Sequence, residues 1–241
     1  MRSGNPALSE TTFSGLPRAI DDRAMTIQGT VNKTAVLLAI VVAAASLTWQ
    51  QAAMSPILMG GGALVGFGVA MVLAFKKELA PMLAPVYAGA EGIFLGGATA
   101  LAENAYPGIG IQAIGLTFGI LFSLLVAYKS GLIKVTENFK LGITAATGGI
   151  LLFYLVSFGL SFFGIGMPII HGSGLIGIGF SLFVVAIAAF NLVLDFDFIE
   201  AGAANQAPKF MEWYGAFGLM VTLVWLYIEI LRLLMKLADR R

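Results

Sequence analysis

Two long tracts of the chain carry no charge. Thr34 to Phe75 runs 42 residues without Asp, Glu, Lys or Arg, and Leu141 to Leu194 runs 54. One membrane-crossing helix takes roughly 20 apolar residues, so each tract has room for two. The first tract breaks at Gln50-Gln51 and Ser55-Pro56. The second breaks between Gly164 and Gly174, where Gly-Ile-Gly-Met-Pro supplies turn chemistry. Only 11% of the 241 residues are charged and 59% are hydrophobic, where a soluble domain carries about 25% charge. Too few charges remain to coat a water-facing surface, which excludes a soluble enzyme, a nucleic-acid reader and a disordered tail. The chain is an integral membrane protein.

Hydropathy places seven spans, at about Thr34–Trp49, Pro56–Phe75, Leu79–Leu101, Gly108–Tyr128, Leu141–Phe163, Gly174–Asp195 and Trp213–Met235. The fold class expected is an all-α bundle of seven transmembrane helices. A polar arm (residues 1–33) precedes the helical domain (34–235), and a short basic tail (236–241) follows it. Glu10, Asp21 and Asp22 with no apolar run among them argue against a signal peptide. Lys and Arg number ten on the amino-terminal side of the connections and four on the other. The excess predicts a cytoplasmic amino terminus. A net charge of +1 leaves no basic footprint for nucleic acid. The absence of cysteine excludes disulfides and thiolate metal sites.

The 30 glycines suit close helix packing in lipid, where small residues let backbones approach. Gly62/Gly66, Gly92/Gly96 and Gly115/Gly119 each have the four-residue spacing, and packing within one molecule is the expected use. Gly172-Ser-Gly174-Leu-Ile-Gly177 spells the dinucleotide fingerprint, but it does not follow a strand, so the required context is missing. His171 is the single histidine, which rules out a multi-histidine metal site. No nucleophile–base pair is visible, so an enzyme is not expected, and neither is a bound cofactor.

The acids set in apolar sequence carry the functional signal, because ionisable groups in spans are costly and mark pathways or switches. Glu91 lies mid-span in Tyr87-Ala-Gly-Ala-Glu91-Gly-Ile-Phe-Leu-Gly96. Glu229 lies in Trp225-Leu-Tyr-Ile-Glu229-Ile-Leu-Arg232, where it can pair with Arg232 at i+3. Asp195, Asp197 and Glu200 close the sixth span. Two carboxyls meeting between helices share a proton in one state. In the other they offer oxygen ligands to a hard cation. Asp195 and Asp197 are the candidates for transient contact with such a cation.

These residues, in this order, resemble the Bax inhibitor (transmembrane Bax inhibitor motif) family, with the nearest likeness to its bacterial YccA-like branch. Ser3-Gly-Asn-Pro-Ala-Leu8 and Ala24-Met-Thr-Ile27 carry the likeness into the arm. The resemblance implies a seven-helix bundle with the last helix central, in the bacterial inner membrane. It also implies a pH-sensitive calcium leak gated by a sixth-helix and a seventh-helix acid with a basic residue near the end of the second helix. Asp195 matches the sixth-helix acid, and Lys76 or Lys77 the basic partner, and the cation the resemblance implies for transient contact with Asp195 and Asp197 is calcium. For the seventh-helix acid two positions compete. Leu226-Tyr-Ile-Glu229 matches the motif, whereas counting back from Arg232 gives Thr222. Glu229 comes 16 residues after Trp213, about 24 Å along a helix, which sets it far from Asp195 and leaves Glu91 as the better buried acid.

Two functions follow from this reading. One is a cation leak through Asp195, Glu229, Glu91 and Asp197. The other is a non-conducting regulator that binds a membrane-anchored quality-control protease, as some relatives do, using the extended arm around Asn5-Pro6 and Leu16-Pro17. The partners expected are the lipid bilayer and, on the second reading, that protease or another membrane protein, with no nucleic acid.

Overall fold

The computed structural model describes residues 24–49, 55–164, 167 and 172–240. His171 and residues 1–23 of the arm lie outside that set. The described residues form α1 (Ile27–Trp49), α2 (Ser55–Phe75), a short 3-10 turn (Lys77–Leu79), α3 (Ala80–Ala105), α4 (Ile109–Lys129), α5 (Glu137–Ser161), α6 (Leu175–Ala204) and α7 (Met211–Ala238). All seven α-helices are long and apolar enough to cross a membrane, as the uncharged tracts predict.

Local chemistry sets the helix starts. Thr26 caps α1 by accepting from the Gly29 N–H at 2.9 Å. Thr136 does the same for α5, accepting from Phe139 N–H. Glu103 reaches across the α3–α4 turn to the N–H groups of Gly108 (2.5 Å) and Gly110 (2.9 Å). Gly108 takes φ +87°, a left-handed conformation that glycine adopts without steric cost.

α7 is the most buried span. It packs on α1, α3, α4 and α6, so the last helix is central, as the family resemblance implies. The three-helix side α1–α3–α2 is sealed by glycine. A Cβ on Gly92 would stand 2.6 Å from the Val41 carbonyl oxygen, and one on Gly96 2.8 Å from Ala45 Cα. On α2, a Cβ on Gly62 would stand 2.6 Å from the Ala90 oxygen. The third spacing pair differs, since Gly115 and Gly119 face open space. Two of the three glycine pairs therefore pack inside the molecule.

Two boundaries depart from the hydropathy reading by seven residues or more. α1 begins at Ile27 rather than Thr34, which makes residues 27–33 helical rather than part of an arm. Gln28, Asn32 and Lys33 look like arm residues in sequence, but the chain just before them is fastened to the α6–α7 connection. Met25 N–H donates to the Ala207 oxygen at 2.7 Å, and Ala24 bridges Pro208. α6 runs to Ala204 instead of stopping at Asp195. Asp195 and Ile199 are turned inward, so the acids mark no helix end.

Candidate functional site

Asp195 stands nine residues before Ala204, about 13.5 Å inside the end of α6 at 1.5 Å per residue, and is 0% exposed. It is the deepest of the acids clustered in that part of the sequence. Asp197, two positions on, points about 200° away around the helix and forms an ion pair with Lys140 of α5 at 3.1 Å. The two carboxylates therefore do not converge on one ion. Among the described residues no three His, Asp or Glu side chains gather as a metal cluster.

α7 returns antiparallel to α6. Thr222 comes to about 16.5 Å from the Met211 end, close to the depth of Asp195, and Glu229 to about 27 Å. Of the two α7 positions weighed in sequence, Thr222 lies nearer than Glu229 to the depth of Asp195. Thr222 is buried, and its hydroxyl also donates to the Gly218 oxygen at 3.4 Å.

Glu229 is 1% exposed and belongs to a different cluster. Arg232 lies one turn along α7 and pairs with it at 2.9 Å, the i+3 contact visible in sequence. Tyr154 of α5 completes the group by donating to Glu229 Oε1 at 2.9 Å and accepting from Arg232 Nη1 at 2.8 Å. The guanidinium also lies over the Tyr154 ring, 5.4 Å from its centroid, a cation–π distance.

Glu91 sits near the middle of α3, with Tyr87 one turn before it facing its carboxylate. A Cβ on Gly66 of α2 would come within 2.5 Å of Glu91 Oε1, so glycine at that position makes the space the carboxyl occupies. Glu91, Asp195 and Glu229 are therefore three separate buried acids on three helices. Of the two candidate bases, Lys76 is exposed and Lys77 turns inward, with its ammonium 6.0 Å from the Tyr214 ring centroid on α7.

The structure adds charges that sequence reasoning missed. Glu212, 0% exposed at the start of α7, receives Lys33 at 2.9 Å, Lys209 at 2.8 Å, and the N–H and hydroxyl of Thr26 at 3.0 and 2.8 Å. Lys140 and Lys236 are each 5% exposed. Lys236 donates to the Gly177 oxygen at 3.0 Å and to Ser181 Oγ at 2.9 Å. In sequence, Glu212 and Lys236 read as ordinary helix-end charges. Lys209 is a local i−3 partner of Glu212, but Lys33, Thr26, Gly177 and Ser181 are far away in sequence, and no local spacing signals them.

Seven apolar helices with the last one central, and with acids and bases buried against each other between helices, define a polytopic α-helical membrane protein. Residues 5–239 match the family model described as Bax inhibitor 1 like, and the chain belongs to that family. No curated protein and no solved structure matches it.

Proposed function

We propose that the protein is a pH-sensitive cation leak of the bacterial inner membrane, with calcium as its cation and its amino terminus in the cytoplasm. The observation that carries this reading is Asp195, an acid with no exposure inside a membrane-spanning helix against the central helix. Burying a charge in a span is costly and tolerated where it serves passage or switching. A carboxylate offers a hard cation an oxygen ligand, and its protonated form does not carry that charge. Flux should therefore fall as pH is lowered and the acid takes up its proton. Glu91 and Glu229 are the further acids of the same bundle.

The test is calcium flux into dye-loaded liposomes from mildly acidic to mildly alkaline pH. The unmodified protein should pass calcium with a pH response, and Asp195→Asn should flatten that response. A response unchanged in Asp195→Asn, Glu91→Gln and Glu229→Gln, with folding confirmed, would remove the carboxylates from the mechanism.

A further inference from the structure

α5 is held to the bundle differently from the other helices. Its glycines 142, 148, 149 and 159 all face open space, so none makes the close backbone contact that seals α1 and α2 onto α3. With α2, it is the least buried span. Its inward stripe is instead polar at successive levels. Lys140, about 4.5 Å from the helix start, meets Asp197 of α6 at 3.1 Å. Thr147, at about 15 Å, accepts from Asn191 Nδ2 of α6 at 2.8 Å. Tyr154, at about 25 Å, meets Glu229 and Arg232 of α7. Beyond it, Lys236 lies buried against α6. These rungs cover the roughly 30 Å of a hydrocarbon core.

Between the rungs, Ile143 and Ile150 pack with Val184, Ile187 and Leu194 of α6 and form the dry layers of the seam. Asp195, the acid that carries the proposed function, lies one turn along α6 from the Asn191 rung and about 40° around the helix from it. We propose that the seam between α5 and the α6–α7 pair is the route by which the cation crosses, closed here by the two isoleucine layers and opened by outward movement of α5. The inference rests on the leak reading and specifies its path. The competing use of such contacts is adhesion, since polar side chains also bind helices together in lipid. Adhesion requires a dry seam, whereas a route requires one that water and cations enter.

The natural chain has no cysteine, so single cysteines report on the full-length protein directly. Thr147→Cys and Ile150→Cys on the seam, and Leu152→Cys and Val156→Cys on the exposed face of α5, would each be reconstituted in calcium-dye liposomes. Each would then be treated with a cationic, membrane-impermeant methanethiosulfonate. The expected result is modification and loss of calcium flux at Thr147→Cys and Ile150→Cys, with no modification at the other two. Ile150→Cys leaves every polar rung in place and serves if Thr147→Cys fails to fold.

As a second measurement, oxidising the pair Thr147→Cys with Asn191→Cys should stop flux, and a reductant should restore it. Flux that persists with unreactive seam cysteines, or through the cross-linked pair, overturns the route and leaves the leak standing. Absence of flux from the folded, unmodified protein overturns both.

Discussion

Glu212 ties the start of α1 to the start of the central helix, and Glu212→Gln tests how much that tie contributes. The carboxylate is 0% exposed, while its partners Lys33 and Lys209 are 26% and 50% exposed. A glutamine oxygen placed at Oε1 keeps both Thr26 contacts and a weaker contact to Lys209. The amide nitrogen then replaces Oε2 and opposes the Lys33 ammonium, donor against donor. A hydrogen bond to a charged group contributes about 1.5–3 kcal/mol, and the half-exposed Lys209 adds little because water screens it. Lys33 can turn partly to solvent, which brings the expected loss to about 2 kcal/mol. At roughly 2–4 °C per kcal/mol for a chain of this size, the melting temperature should fall by about 4–8 °C. Thermal unfolding in detergent, followed by far-ultraviolet circular dichroism, measures it. A double-mutant cycle with Lys33→Met isolates the pair, and a coupling of about 1–2 kcal/mol is expected. An unmoved melting temperature together with additive single effects would refute the claim that this carboxylate holds α1 to α7.

Two further outcomes follow from named contacts and a third from the expected orientation. Gly92→Ala forces its new methyl against the Val41 oxygen and Ala44 Cβ at 2.6 and 2.7 Å. It should cost about 1–3 kcal/mol as an overpacked contact, whereas Gly115→Ala, in open space, should be neutral or stabilising by up to about 1 kcal/mol; paired melting curves check both. Arg232→Met leaves the Glu229 carboxylate buried without its base and should destabilise by about 3 kcal/mol. Adding Glu229→Gln should recover most of that, as read by the same melts. Seven crossings from a cytoplasmic amino terminus place the last residues outside, so a carboxyl-terminal alkaline phosphatase fusion should be active and a carboxyl-terminal fluorescent protein fusion dark; the reverse pattern would contradict the charge-count orientation.

The spans were legible because the bilayer imposes length and apolarity on contiguous sequence, and Thr34–Phe75 and Leu141–Leu194 meet that demand without needing any tertiary information. The Glu229–Arg232 pair was legible for the same reason, since i+3 geometry is local. What escaped is non-local. Nothing near Lys140 in sequence points to Asp197, and nothing near Glu212 points to Thr26 or Lys33. The early start of α1 escaped because Lys33, which reads as an arm residue, is drawn to that same carboxylate. The Leu-Tyr-Ile-Glu step points to Glu229, whose distance from Asp195 was legible from helix rise, but its place in the Tyr154 cluster was not.

The two ways of joining helices divide the bundle mechanically. Where α3 meets α1 and α2, backbones touch over Gly62, Gly92 and Gly96, and separating them would forfeit dispersion contacts over the whole interface. Where α5 meets α6 and α7, the junction is a ladder of discrete polar contacts with isoleucine layers between them. Such contacts can be exchanged one by one for contacts with water or a passing ion, at small net change in hydrogen bonding. Glycine-packed interfaces have no comparable substitute. On the proposed route, an opening motion would meet least resistance at α5, with the glycine-packed α1–α2–α3 side as its frame. Melting and flux separate under this division: Gly92→Ala should lower stability without redirecting the cation, while oxidising the pair Thr147→Cys with Asn191→Cys should stop the cation without lowering the melting temperature below that of the reduced pair.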